Sequence, residues 1–276
     1  MNIIDGKAIS AKLREDLKIK IAEMSRKPGL AVVMVGEDPA SQIYVRNKVK
    51  ACEELGIRSY SYLFPDNANQ KAVEDLLDEL SADDNIDGIL LQLPLPKGFC
   101  QEDVMGHISV KKDVDGFSPE NLGLLALHKE KIVACTPLGV MKLLESTGVD
   151  LTGKRAVVLG RSDTVGKPMA MLLLNASATV TICHSKTENL KEICHSADVL
   201  ISAIGKPKFV TADMVKEGAI VVDVGINRDE NGKLCGDVDF ENVKNKTSFI
   251  TPVPGGVGPM TITMLMYNTY ITACKE

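Results

Sequence analysis

The chain has 276 residues, 45% of them hydrophobic and 25% charged, which excludes a disordered polymer and leaves room for two hydrophobic cores. A net charge of −5 and the absence of Trp argue against a general nucleic-acid surface or a base-stacking platform, while still allowing a local basic pocket for a small anion. No run approaches the roughly 20 uninterrupted apolar residues of a membrane helix, and the first residues carry no signal-peptide core, so a cytoplasmic protein without a membrane partner is expected.

In chain order, Ala8 to Met24 carries Leu13, Leu17, Ile21 and Met24 at helical spacing. Pro28-Gly29 breaks it, and Leu30 to Val35 reads as a buried strand. A helix over Ser41 to Leu55 ends at Gly56, followed by a strand near Ser59 to Leu63, a helix over Gln70 to Leu80 and the apolar run Gly88 to Leu93. Strands separated by helices imply a parallel sheet, so the fold class is α/β.

Beyond Asp115-Gly116 a second α/β series is predicted: a helix from Pro137 to Ser146, the strand Lys154 to Gly160, and a helix from Pro168 to Leu174. The strand Thr179 to Cys183, a helix from Glu188, and strands Val199 to Ala203 and Ala219 to Val224 continue it. A glycine-rich run, Thr251 to Met260, leads into a final apolar helix. The expected domains are residues 1–120 and 121–276, with a last helix over about 260–276.

Seven cysteines, at 52, 100, 135, 183, 194, 235 and 274, show no C-x-x-C spacing and are joined by only four histidines. Neither a zinc cluster nor a disulfide framework is expected, and buried thiols in a reducing compartment account for them.

Residues 155 to 185 read as a dinucleotide-binding strand, loop, helix and strand. Gly160-Arg-Ser-Asp-Thr-Val-Gly166 gives a turn off a strand into a helix N-terminus, where a pyrophosphate binds. Its spacing departs from G-x-G-x-x-G, because Ser162 takes the second glycine position and the next glycine comes one residue late. A looser phosphate approach, or use of the Ser162 hydroxyl as a donor, is the expectation. At the end of the second strand, where an NAD enzyme places an acid for the ribose 2′-hydroxyl, this chain has His184-Ser185-Lys186. Together with Arg161 that set suits a 2′-phosphate, so NADP is the expected cofactor, against the plainer alternative of solvated surface charges.

Tyr44 and Lys48 are four residues apart and share a helix face. The spacing also matches the Tyr-x-x-x-Lys of short-chain dehydrogenases, but there the pair follows the cofactor loop, whereas here it lies far upstream of Gly160. Gln92 is an amide at the end of an apolar strand just before two prolines, and Asp113 and Asp115 put two carboxylates at one turn. Taken singly, Gln92 reads as an edge residue and Asp115 as a turn former. Both nonetheless fall where open α/β sheets bind ligands.

With Gly160 to Ser162, Cys135-Thr-Pro137 and Pro252 to Thr261, these segments make the chain closely resemble bifunctional methylenetetrahydrofolate dehydrogenase/cyclohydrolases, from near Ile3 to the C-terminal helix. The resemblance implies two α/β domains around a cleft, folate mainly on the first, NADP on a Rossmann-like second, a last helix packing back on the first domain, and a homodimer. It implies Lys48 as general acid/base, Tyr44 stacking on or positioning the folate, Gln92 hydrogen-bonding Lys48, and Asp115 on the pterin's polar edge. Pro254 and Gly255 would line the folate site, Ile226 would sit beside the nicotinamide, and Gly160, Arg161, Ser162 and Ser185 would bind the cofactor. Lys48 is retained, which argues against the monofunctional dehydrogenases that lack it. The expected chemistry is hydride transfer from 5,10-methylenetetrahydrofolate to NADP and hydrolysis of the methenyl product to 10-formyltetrahydrofolate, in one-carbon metabolism. The hydrolysis needs a group exchanging protons near neutral pH, a role open to a lysine in a partly desolvated cleft. A shikimate- or amino-acid-type dehydrogenase on the same plan and a non-catalytic NADP-binding protein are the alternatives, separated by whether NADP reduction depends on methylenetetrahydrofolate.

Overall fold

A strand covered on both faces needs an unbroken aliphatic run, and every residue of Gly29–Val35 is buried. In the computed structural model, which describes residues 2–274, the chain opens with β1 (Asn2–Ile3), α1 (Gly6–Glu23), β2 (Gly29–Val35) and α2 (Pro39–Leu55). It continues with β3 (Arg58–Phe64), α3 (Gln70–Ala82), β4 (Gly88–Gln92), α4 (Gln101–Gly106), α5 (Pro119–Ala126) and α6 (Cys135–Glu145). The second alternating series is β5 (Arg155–Leu159), α7 (Gly166–Asn175), β6 (Thr179–Cys183), α8 (Leu190–His195), β7 (Val199–Ser202) and β8 (Ala219–Asp223). A short hairpin, β9 (Asn227–Arg228) and β10 (Leu234–Cys235), precedes α9 (Phe240–Val243), β11 (Thr247–Ile250) and α10 (Val257–Ala273).

The chain forms two compact units. The first, called here the Lys48 unit, consists of Lys12–Leu124, Glu130–Cys135 and the residues from Ile262 onward. Its sheet is parallel with order β3-β2-β4, and its register sets Met34 beside Gln92 and Val35 beside Phe64. Val73, Leu77 and Leu80 of α3 pack on Ala31, Val33, Ile89 and Leu91, the apolar stripe of an amphipathic helix against one face of the sheet. An isolated parallel bridge between Ile89 and Asp113 brings the 113–116 turn alongside β4.

The C-terminal part of α10 belongs to the same unit. Its Asn268 Nδ2 donates to the carbonyls of Val114 (2.8 Å) and Val133 (2.9 Å), and Met266 Sδ lies 3.5 Å from Cys52 Sγ. A helix with Met264, Leu265 and Met266 all buried has no polar face to give to solvent there, which explains its apolar sequence. Residues 275 and 276 of the expected last helix lie outside the described residues.

The second, the Gly160 unit, holds the residues up to Ala11, Leu125–Lys129 and Thr136–Thr261. Its six strands are all parallel in the order β1-β11-β8-β7-β5-β6. From β5 the chain steps to β6 on one side and then to β7 on the other, so the order reverses at β5 and opens a crevice at its C-terminal end. β1 and β11 were not predicted. Two and four residues are too few to show a period, and they form because Asn2 pairs with Phe249 and Ile3 with Ile250. Among the described residues no helix is long and apolar enough to cross a membrane.

Candidate active site

In the Lys48 unit the site is built on α2 and on the ends of β4. The Asp38 carboxylate accepts from the Ser41 amide (2.7 Å), Pro39 fits the first turn, and Gly56 at φ 76° closes the helix. α2 buries Ser41, Val45 and Ala51 and leaves Tyr44 (42% exposed) and the half-buried Lys48 one turn apart. Gln92 is the last residue of β4 and is 9% exposed. Its Nε2 donates to the Leu93 carbonyl (2.7 Å), and its Oε1 accepts from Lys48 Nζ at 3.0 Å. With the amide nitrogen committed to that carbonyl, the amide is held with its oxygen turned to the lysine N–H.

The two carboxylates of the neighbouring turn divide their work. Asp113, buried at 4% exposure, accepts from the amides of Gly116 (3.0 Å) and Ser118 (2.8 Å) and from Asn121 Nδ2 (2.9 Å), so it is the turn former. Asp115 is thereby left to face Lys48. Burial of its carboxyl pushes its pKa up to about 6; the Lys48 charge pulls against that, Asp113 adds to it, and the adjacent Cys135 thiol opposes it slightly. Cys135 itself is held well above the usual thiol range by burial and by the Asp115 charge. Its thiol therefore stays protonated and donates to the Val114 carbonyl at 3.2 Å.

In the Gly160 unit the loop after β5 needs its glycines. Gly160 sits at φ 116°, and a Cβ there would enter the Ala203 carbonyl. A Cβ on Gly166 would meet the Gly160 backbone, so the late glycine sets the close approach of α7 to the turn. The Ser162 hydroxyl oxygen accepts from the amides of Val165 (3.2 Å) and Gly166 (3.3 Å), which leaves its own proton to donate. Arg161 and Ser185 are exposed at the ends of β5 and β6, as is Lys186. Ile226, 55% exposed, follows β8, and Pro254 and Gly255 lie before α10, Gly255 at φ 105° with its carbonyl accepting from the Lys7 amide (3.1 Å). Among the described residues there is no group of three or more His, Cys, Asp or Glu that could hold a metal ion.

The structure thus gathers Lys48, Gln92 and Asp115, with Tyr44 one turn along α2, and places Gly160, Arg161, Ser162, Ser185, Ile226, Pro254 and Gly255 in the other unit. Sequence reasoning missed Cys135 and Asn268 as members of the first group. Asn268 did carry a signal, an amide inside an apolar helix that has to find buried partners.

A doubly wound parallel sheet with a glycine turn at its switch point, joined to a second α/β unit, defines a two-domain dinucleotide-binding protein. The model of the tetrahydrofolate dehydrogenase/cyclohydrolase catalytic domain matches residues 4–115, and that of the NAD(P)-binding domain of the same family matches residues 134–276. The bifunctional protein FolD of Campylobacter hominis is 56% identical over 276 residues, covering 99% of this chain and 97% of the relative. The crystal structure of bifunctional FolD, a methylenetetrahydrofolate dehydrogenase/cyclohydrolase from Campylobacter jejuni, superposes with a TM-score of 0.97 at 53% identity, covering 99% of this chain and 98% of that one. The Trypanosoma brucei enzyme complexed with NADP and an inhibitor gives a TM-score of 0.93 at 38% identity, covering 98% and 96% of the two chains. The chain belongs to the tetrahydrofolate dehydrogenase/cyclohydrolase family.

Proposed function

We propose that this protein oxidises 5,10-methylenetetrahydrofolate to 5,10-methenyltetrahydrofolate with NADP and then hydrolyses the product to 10-formyltetrahydrofolate. The observation that carries the hydrolytic half is the 3.0 Å hydrogen bond from Lys48 to Gln92 beside a carboxyl held near 6. The residues of the Gly160 loop fit the cofactor: a Cβ at Gly160 or Gly166 would fill the turn, and no acid stands at the end of β6 to repel a 2′-phosphate. Arg161 and Ser185 bind that phosphate, and Ser162 donates to the pyrophosphate. When bound, NADP supplies the acceptor for the hydride leaving the methylene carbon.

That step asks the protein mainly for positioning. Tyr44 and Asp115 hold the folate, the carboxylate accepting from the paired N–H donors of the pterin, and Pro254 and Gly255 line its site, with Ile226 beside the nicotinamide. Hydrolysis asks for proton movement. As water adds to the methenyl carbon, Lys48 takes a proton from it and delivers one to the ring nitrogen whose C–N bond breaks; the second water proton goes to solvent. Gln92 keeps the Lys48 amine aimed during this exchange.

On this reading residues 1–120 supply most of the folate-binding catalytic domain and 121–276 most of the NADP-binding domain, with the last helix returning to the first. The enzyme is a homodimer acting in the cytoplasm without a nucleic-acid or membrane partner, which the family resemblance and the net charge of −5 support. The test is one coupled assay that follows NADPH and methenyl absorbance together, on wild type and Lys48→Ala. Wild type should reduce NADP only with methylenetetrahydrofolate and then clear the methenyl compound. Lys48→Ala should bind NADP but leave the methenyl compound unhydrolysed, and hydrolysis at the native rate in that variant removes Lys48 from the mechanism.

A further inference from the structure

Two buried carboxylates sit under the loops that follow β7 and β8. Asp237 is 0% exposed, and its carboxylate accepts five hydrogen bonds. Ser202 Oγ (3.2 Å) and the amides of Ile204 (2.8 Å) and Gly205 (3.3 Å) reach Oδ2, while the Lys206 amide (2.9 Å) and Asn227 Nδ2 (2.9 Å) reach Oδ1. Asp223, the last residue of β8 and the register partner of Ser202, accepts from the amides of Gly225 (3.0 Å), Asp237 (2.9 Å) and Val238 (2.8 Å). All these donors are neutral, so the pair is held by oriented dipoles rather than by a cation.

The surrounding sequence is shaped to this pair. A Cβ on Gly225 would enter the Asp237 carboxylate, and a Cβ on Gly236 would enter that of Asp223. Neither glycine has a positive φ, so both are present for space and not for backbone freedom. The bonds converge on a particular stretch of backbone. Ile226 is 55% exposed, and its two neighbours, Gly225 and Asn227, are each tied to one of the carboxylates. The loop after β7 is tied at three successive amides and begins at Ala203, whose carbonyl abuts the Gly160 turn.

We infer that Asp237, braced by Asp223, is a positioning residue for the dehydrogenase step, fixing the 203–206 loop and the Ile226 segment in the shape that receives the nicotinamide dinucleotide. This rests on the reading that the Gly160 unit binds NADP. Asp237 touches neither cofactor nor substrate; it acts through Ile226 and the loop amides, which it fixes before the cofactor arrives. The hydrolytic step needs no cofactor, and its proton-handling pair, Lys48 and Gln92, belongs to the other unit, so the two activities respond differently.

The experiment compares wild type, Asp237→Asn and Asn227→Ala by calorimetric titration with NADP, by KM and kcat of the dehydrogenase, and by cyclohydrolase rate on the methenyl compound without NADP. Asp237→Asn sets an N–H donor against donors and should raise Kd and KM for NADP by about tenfold or more, and Asn227→Ala, losing one bond, by about two- to fivefold. Cyclohydrolase should stay within about twofold of wild type in both. Unchanged NADP affinity in Asn227→Ala, or cyclohydrolase falling in parallel with NADP affinity, overturns the inference, and Asn227→Ala decides alone if Asp237→Asn does not fold. Wild type that binds no NADP overturns the functional reading beneath it, whereas wild-type binding with variants equally tight overturns the inference only.

Discussion

Lys48 Nζ donates to Gln92 Oε1 across 3.0 Å, and Gln92 is kept in that orientation because its own amide nitrogen is committed to the Leu93 carbonyl. The lysine therefore approaches substrate with its direction set by a strand end rather than by solvent. Replacing Gln92 by Leu preserves bulk and removes both bonds. A hydrogen bond to a charged group contributes about 1.5–3 kcal/mol, so cyclohydrolase kcat should fall by about 10- to 100-fold. Decay of methenyl absorbance measures this, and a rate within twofold of wild type would show that the contact is idle.

Arg161 is exposed at the mouth of the glycine turn, and no acid stands at the end of β6. Arg161→Ala should weaken NADP by about 10- to 100-fold while leaving NAD nearly unchanged, because only NADP carries the 2′-phosphate that a guanidinium grips with paired bonds. Parallel KM measurements with the two cofactors decide it. An equal loss for both would assign Arg161 to the pyrophosphate or to folding.

Asp115 gives the folate side a pH dependence. Burial holds its carboxyl at about 6, so it is a carboxylate above that pH and a neutral acid below it. The neutral acid has one acceptor fewer for the pterin's N–H pair, so KM for methylenetetrahydrofolate should rise as pH falls through about 6. In Asp115→Asn the KM should be high and flat over the same range. A wild-type KM that does not change between about pH 5 and 7 would sink the assignment.

Asp223 makes a separate contribution to stability. Burial raises its carboxyl from 3.8 to about 7, so between those values the folded chain binds a proton that the unfolded chain has released. Its contribution is therefore fully present below pH 3.8 and is lost as pH rises through about 7. The slope is at most about 1.4 kcal/mol per pH unit. In urea unfolding, Asp223→Asn should lose this slope and compare better with wild type at about pH 8 than at about pH 5. Identical pH profiles for the two proteins would refute it.

The legibility of this molecule follows sequence distance. β2 and β4 announce themselves as aliphatic runs, and α3 as a stripe at helical spacing, because the information lies within a few residues. Tyr44 and Lys48 are visible for the same reason. Asp113 and Asp115 are indistinguishable in sequence, since both belong to one turn and only the backbone path shows that Asp113 is consumed in holding it. β1 and β11 lie at opposite ends of the chain, and the Asn268 amide finds the Val114 carbonyl 154 positions away. Such pairings are set by packing and leave no local pattern. The Lys48 to Gln92 bond spans 44 positions and was reachable only through the motifs shared with a known family.

α1 and α10 each begin in the Gly160 unit and finish in the Lys48 unit. The chain is thus interleaved, and no single break in the polypeptide separates its two units. A fragment from Lys12 to Leu124 would lack the Asn268 amide that closes the Val114 carbonyl, and one beginning at Thr136 would lack the edge strand β1. For gene fusion, splitting or domain exchange, the transferable piece is the entire chain.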